Sequence, residues 1–230
     1  MKLKALFSGF NRYDLIIWFL SVGMITLSFC LFSDDALTFA ASLVGVTSLI
    51  FIAKGNVIGN YICVVFAILY AVISYFYNYY GEMITYLCMT APMAVLNIIS
   101  WTRHPFEDTG EVEVSKITKK QTAVMFIITA VVTISFYFVL EAMGNANIFI
   151  STLSIATSFL AMYLTFLRSP YYALAYAGND IVLVVLWSFA ASENICYAPM
   201  VVCFEMFLLN DAYAFYNWRK MEKAQRRQNG

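Results

Sequence analysis

The chain has 230 residues, of which 62% are hydrophobic, 17% aromatic and only 12% charged, whereas soluble domains carry charged residues at about 25%. A mean hydropathy of +0.74, spread over several apolar runs of about twenty residues, excludes a soluble domain and a single anchor, and the short alternating strands of a membrane β-barrel are missing. Fourteen basic residues balance fourteen acidic ones, so no net field draws nucleic acid or an acidic partner.

The stretch before Asp14 carries charge but no short apolar core with a small-residue cleavage site, so no cleaved signal peptide is expected and the first helix stays. Turn formers then divide the chain into eight apolar segments, at about residues 14–32, 36–53, 57–79, 82–100, 122–141, 148–167, 172–191 and 195–217. Each can cross a hydrocarbon core of about 30 Å. The breakers are Ser33-Asp34-Asp35, Lys54-Gly55-Asn56, Tyr80-Gly81, Gly144-Asn145 and Arg168-Ser169-Pro170. One connection, 101–121, is long and charged. The tyrosine-rich run from Tyr75 to Tyr80 reads as an interfacial belt.

Charge orients this scheme. Lys2, Lys4 and Arg12 precede the first segment, Lys54 opens the third, and Arg103, Lys116, Lys119 and Lys120 lie in the long loop. Arg168 opens the seventh, and Arg219, Lys220, Lys223, Arg226 and Arg227 follow the eighth. All 14 basic residues therefore fall on one side, while the other connections carry Asp34, Asp35, Glu141 and Glu193. The positive-inside rule then puts both termini in the cytoplasm. Cys30, Cys63, Cys88, Cys196 and Cys203 form no Cys-x-x-Cys pair, so neither a disulfide framework nor a zinc site is expected.

The fourth segment ends Asn97-Ile-Ile-Ser-Trp101-Thr-Arg103, the eighth ends Asn217-Trp218-Arg219, and each carries a proline further out, Pro92 and Pro199. Lys54 precedes Trp101 by 47 residues and Arg168 precedes Trp218 by 50. This spacing predicts an all-α membrane protein of eight transmembrane helices with two parallel three-helix repeats, 36–101 and 148–218. A segment 102–147, holding the loop and a linker helix, joins them. Residues 1–35 form an extra N-terminal helix, and 219–230 a basic tail.

Polar groups inside a span are costly and therefore informative. The seventh segment carries Asn179 and Asp180 near its middle, and the eighth carries Glu205, Asn210 and Asp211, with no Lys or Arg inside any span to pair with them. They are protonated helix-to-helix donors, partners of neighbouring Asn, Tyr and Ser, or the lining of a path for something cationic. Asn60, Tyr70, Tyr86, Asn97, Trp187 and Tyr213 lie on the same polar spans, and such rings could sandwich a flat cation for about 2 kcal/mol or more once desolvated. No phosphate-binding Gly-x-x-x-x-Gly-Lys loop, His-Glu-x-x-His or Gly-x-Ser-x-Gly motif is present, and the single histidine, His104, is in the long loop. Neither an enzyme nor an ATP-driven pump is expected, and no cofactor or metal is implied.

The run Tyr80-Gly81-Glu82-Met83 followed by Pro92, Asn97 and Trp101, and the matching Asn210-Asp211-x-Tyr213 with Trp218, resemble the PnuC-type vitamin transporters over about residues 40–220. That family carries nicotinamide riboside and related vitamins across the bacterial inner membrane and is related in architecture to the SWEET sugar transporters. The resemblance implies the same repeat layout and a vitamin held between the repeats near the midplane. It also implies facilitated diffusion in the lipid bilayer, functional coupling to a cytoplasmic kinase that traps the vitamin by phosphorylation, and room for a homo-oligomer. One departure bears on substrate: relatives show a Trp-x-x-Trp pair on the seventh helix, where this chain has Ala175-Tyr176-Ala-Gly-Asn179-Asp180 and a single Trp187. Thiamine is therefore the alternative cargo. A non-transporting assembly partner, with the acids as interhelical bonds, is the alternative of another class.

Overall fold

A computed structural model describes residues 10–33, 35–76, 80–107, 109–145 and 147–228. Lys2, Lys4 and Asp34, and the belt residues at positions 77–79, lie outside it. The helices are α1 (Arg12–Phe32), α2 (Ala36–Ala53), α3 (Ile58–Phe76), α4 (Tyr80–Thr85), α5 (Ala91–Thr102), α6 (Lys119–Ala142), α7 (Ile148–Phe166), α8 (Tyr172–Glu193) and α9 (Ala198–Gln228). A π-helical turn, Tyr86–Thr90, joins α4 to α5 into one span. Among the described residues, 8 helices are then long and apolar enough to cross a membrane. We number these spans first to eighth.

Local chemistry sets the ends. Asn11 Oδ1 accepts from the Asp14 amide at 2.9 Å and Asp14 Oδ2 accepts from the Asn11 amide at 2.6 Å, a reciprocal cap that starts α1. The same device, Thr118 with Gln121, starts α6 at Lys119, three residues ahead of the expected 122. The interrupted fourth span has its cause in Pro92, which lacks an N–H and crowds the carbonyl of Cys88 four residues back. The backbone widens there, so that the Ala91 amide reaches the Tyr86 carbonyl instead. The eighth helix does not stop near 217 but continues to Gln228, so most of the expected tail is helical. Glu222 sits between Arg219, at 2.6 Å, and Arg226, which it also bonds, one turn away on either side.

That extension reorganises the long loop. Pro105–Phe106 (β1) and Glu111–Val112 (β2) pair antiparallel, and the Gln225 side chain grips the strand that follows. Its Nε2 donates to the Val112 carbonyl at 3.0 Å, and its Oε1 accepts from the Val114 amide at 2.8 Å. The Val112 amide donates to the Gly55 carbonyl and the Ser115 amide to the Arg168 carbonyl, at 2.9 and 3.0 Å. The loop thus lies across the ends of several spans as a plate. Burial beneath it raises the pKa of Glu111 against the pull of Lys54, and lowers that of Arg168 against the pull of Glu113.

Just under this plate the two halves cap one another. Helix α2 closes through Gly55 and helix α7 through Arg168, both in the left-handed region at φ 65° and 56°. The last carbonyls of each helix would otherwise lack donor partners. Asn217 Nδ2 reaches the Ala53 carbonyl at 2.7 Å and Trp218 Nε1 the Ile52 carbonyl at 2.9 Å. Ser100 Oγ reaches the Phe166 carbonyl at 2.7 Å and Trp101 Nε1 the Thr165 carbonyl at 2.9 Å. The end of the fourth span therefore caps the sixth, and the end of the eighth caps the second. The two indoles are 5.4 Å apart between ring centroids, and Tyr172 packs against Trp218 at 4.9 Å.

The first span docks on the eighth through polar groups. Asn210 Nδ2 donates to Ser21 Oγ at 2.9 Å, the Tyr213 hydroxyl donates to Asp14, and Lys54 Nζ stands 3.5 Å from the fully buried Asp14 carboxylate. Replacing Asn210 by Leu leaves Ser21 without its partner and is expected to cost about 1–3 kcal/mol of stability. Thermal unfolding of the purified variant checks this.

Candidate functional site

A central cavity opens between the spans, with about 1030 Å3 of space between atoms including its mouth. Its lining comes from seven of the eight spans and the turn after α6. Cys63 and Phe66 come from α3, Glu82 and Tyr86 from the fourth span, and Leu140 and Asn145 from the end of α6 and its turn. Ser154 and Ser158 come from α7, Tyr176, Asn179 and Asp180 from α8, and Phe204, Phe207 and Asp211 from α9, with Ser48 of α2 completing the wall. The floor, toward the basic ends of the helices, is the buried layer of Trp101, Tyr172 and Trp218, on which Cys63 and Tyr176 pack.

Two smaller cavities of about 660 and 630 Å3 lie at the opposite, acidic end. Asp35, Tyr70, Trp187 and Tyr197 are among the residues lining the first of them, and Asn145, Asn147, Trp187 and Glu193 among those lining the second. Glu82 lines all three.

Polar geometry in the central cavity is specific. Asn179 Oδ1 accepts from Thr157 Oγ1 at 2.8 Å and Ser158 Oγ at 3.0 Å, with Ser154 Oγ at 3.4 Å. Those hydroxyls orient the amide, leaving its NH2 without a protein acceptor among the described residues. Asp180 and Asp211 line the cavity together from the seventh and eighth spans, close enough to interact electrostatically, and Asp180 Oδ2 is buried with no hydrogen-bond partner. Two carboxylates close together repel unless a proton or a cationic group stands between them. No Lys, Arg or His lines the cavity among the described residues.

Of the residues expected from sequence, Tyr86, Asn179, Asp180 and Asp211 line this cavity, and Tyr70 and Trp187 line the smaller ones. Tyr70 bridges the two levels, its ring 4.4 Å from Tyr86 and its side chain beside Glu82. Asn60 and Asn97 are buried outside the lining, with Asn60 Nδ2 and Asn97 Oδ1 unpartnered. Asn210 and Tyr213 face the first span, and Glu205 is exposed away from the cavity. Glu82, Tyr176 and the hydroxyls of α7 join the site without having been singled out. The Ser/Thr spacing at 151, 154, 157 and 158 was the signal for the last group.

Spanning helices packed around a polar, acid-bearing cavity that is floored at one end and shares Glu82 with smaller cavities at the other make a membrane carrier. The family profile described as nicotinamide mononucleotide transporter matches residues 35–220, and the chain belongs to that family. It is a multi-pass membrane transporter, not an enzyme. The nicotinamide riboside transporter PnuC of Neisseria mucosa is 25% identical over 226 residues, covering 96% of this chain and 86% of the relative. The protein of the same name from Haemophilus influenzae is 26% identical over 192 residues, covering 83% and 82%. A solved structure described as the crystal structure of the vitamin B3 transporter PnuC superposes with a TM-score of 0.81 at 24% identity, covering 96% of both chains, and shares the fold.

Proposed function

We propose that the protein carries nicotinamide riboside by facilitated diffusion across a bacterial cytoplasmic membrane. The observation that carries this reading is a cavity that the carboxyls of Asp180 and Asp211 both line, with several aromatic faces and, among the described residues, no basic side chain in its lining. A pyridinium ring supplies the positive charge this site lacks, and ribose hydroxyls match the Asn179 amide and the Asp180 carboxylate. A phosphate would find only like charge, which favours the riboside over its nucleotide. The names of the two relatives point the same way. Thiamine is the second reading, supported by Asp180 and Asn179, which present an edge suited to an aminopyrimidine. A cytoplasmic kinase acting on the released vitamin would keep the inward gradient.

In liposomes holding only this protein and no membrane potential, labelled nicotinamide riboside is expected to equilibrate and stop. Absence of flux removes the substrate, and accumulation driven by an imposed proton gradient removes the passive mechanism. The basic face is assigned to the cytoplasm on the positive-inside rule, with the termini on that side. A cysteine introduced at Lys116 is then expected to resist an impermeant thiol reagent applied to intact cells, and ready labelling reverses the orientation.

A further inference from the structure

Glu82 stands apart from the Asp180–Asp211 pair. It is the one acid shared by the central cavity and both smaller cavities among the described residues. Its Oε2 is buried without a hydrogen-bond partner, and the Tyr70 side chain lies beside its carboxyl. Across the smaller cavities stands Trp187, which lines both, with the Tyr197 ring 5.9 Å away at 50°. Asp35 and Glu193 add carboxylates at the rims, and no basic side chain lines either space among the described residues.

We propose that Glu82, Trp187 and Tyr197 form a second binding site for flat organic cations, on the acidic face, which substrate occupies before it reaches Asp180 and Asp211. This rests on the carrier reading given above. A carboxylate with an unfilled acceptor in a low-dielectric wall attracts a cation, and two aromatic faces add to that attraction once water leaves. Because Glu82 belongs to all three spaces, a cation moving inward from Trp187 meets it before the inner pair. Two weak sites in series allow a cation to be held without being trapped, as in other membrane paths that need both capture and release.

N-methylnicotinamide, a pyridinium cation without ribose that quenches indole emission, tests the site without any transport. Saturable quenching of the purified protein is expected, lost in Trp187→Phe and shifted roughly 10-fold to higher concentration in Glu82→Gln, with Glu82→Asp between. In liposomes, Glu82→Gln is expected to raise the KM for nicotinamide riboside by roughly 10-fold while its calorimetric affinity changes less than about twofold. Thermal unfolding confirms that the variants are folded. Quenching that survives in both Trp187→Phe and Glu82→Gln overturns the site, and so does affinity that falls in step with KM, which would move Glu82 into the inner site. Saturable quenching at Trp187 without any flux of nicotinamide riboside or thiamine leaves the outer site standing and overturns the carrier reading instead.

Discussion

Converting both Asp180 and Asp211 to Asn is expected to weaken nicotinamide riboside binding by roughly 100-fold, close to 3 kcal/mol, the scale for removing the partner of a desolvated charge. The two side chains line the same cavity from the seventh and eighth spans and interact electrostatically, so they act as one unit. Either single substitution leaves one carboxylate in place and is expected to lose less than the double variant, with a clear departure from additivity. Asn fills the same volume as Asp, so the cavity wall shared with Tyr176 and Phe207 is expected to keep its shape. If the acids only join the seventh span to the eighth, the double variant will shift thermal stability and leave affinity unchanged. Measuring both on the same protein decides between the readings, and unchanged affinity removes the inner site.

The spans were legible because hydropathy and turn residues act locally, and the one-sided basic charge held the register over eight segments. What a single sequence does not supply is the rotation of each helix. Asn210 and Asp211 are neighbours in sequence but about 100° apart around the helix. Asp211 turns into the cavity with Phe204, seven residues earlier, whereas Asn210 turns to Ser21 with Tyr213 three residues later toward Asp14. Glu205, 100° on from Phe204, is carried out of the site altogether. Glu82 was hidden for another reason: as the first charged residue of its segment it read as a boundary, and only the packing of the fourth span shows that the boundary is inside the polar path. The Gln225 clamp joins residues more than a hundred positions apart, a distance over which periodicity carries no information.

The cross-capping of the two halves makes the second large forecast. Trp101→Ala and Trp218→Ala are each expected to destabilise the protein by about 3–5 kcal/mol, the usual range for truncating a buried Trp, lowering the unfolding midpoint by roughly 6–20 °C for a chain of this size. Both indoles are essentially buried, both fill the floor beneath the cavity, and each donates at 2.9 Å to a carbonyl at the end of a helix in the other half. The Phe variants keep most of the ring but strand that carbonyl, so they are expected to lose about 1–3 kcal/mol. Because the rings touch each other, the double Ala variant should lose less than the two singles together, as the second truncation removes contacts already gone. The reciprocal geometry demands similar losses at the two positions. A large loss at Trp218 beside a negligible one at Trp101, read by thermal unfolding in the same detergent, would show that one cap alone secures the floor and that the symmetry of the hydrogen bonds carries no matching symmetry of energy.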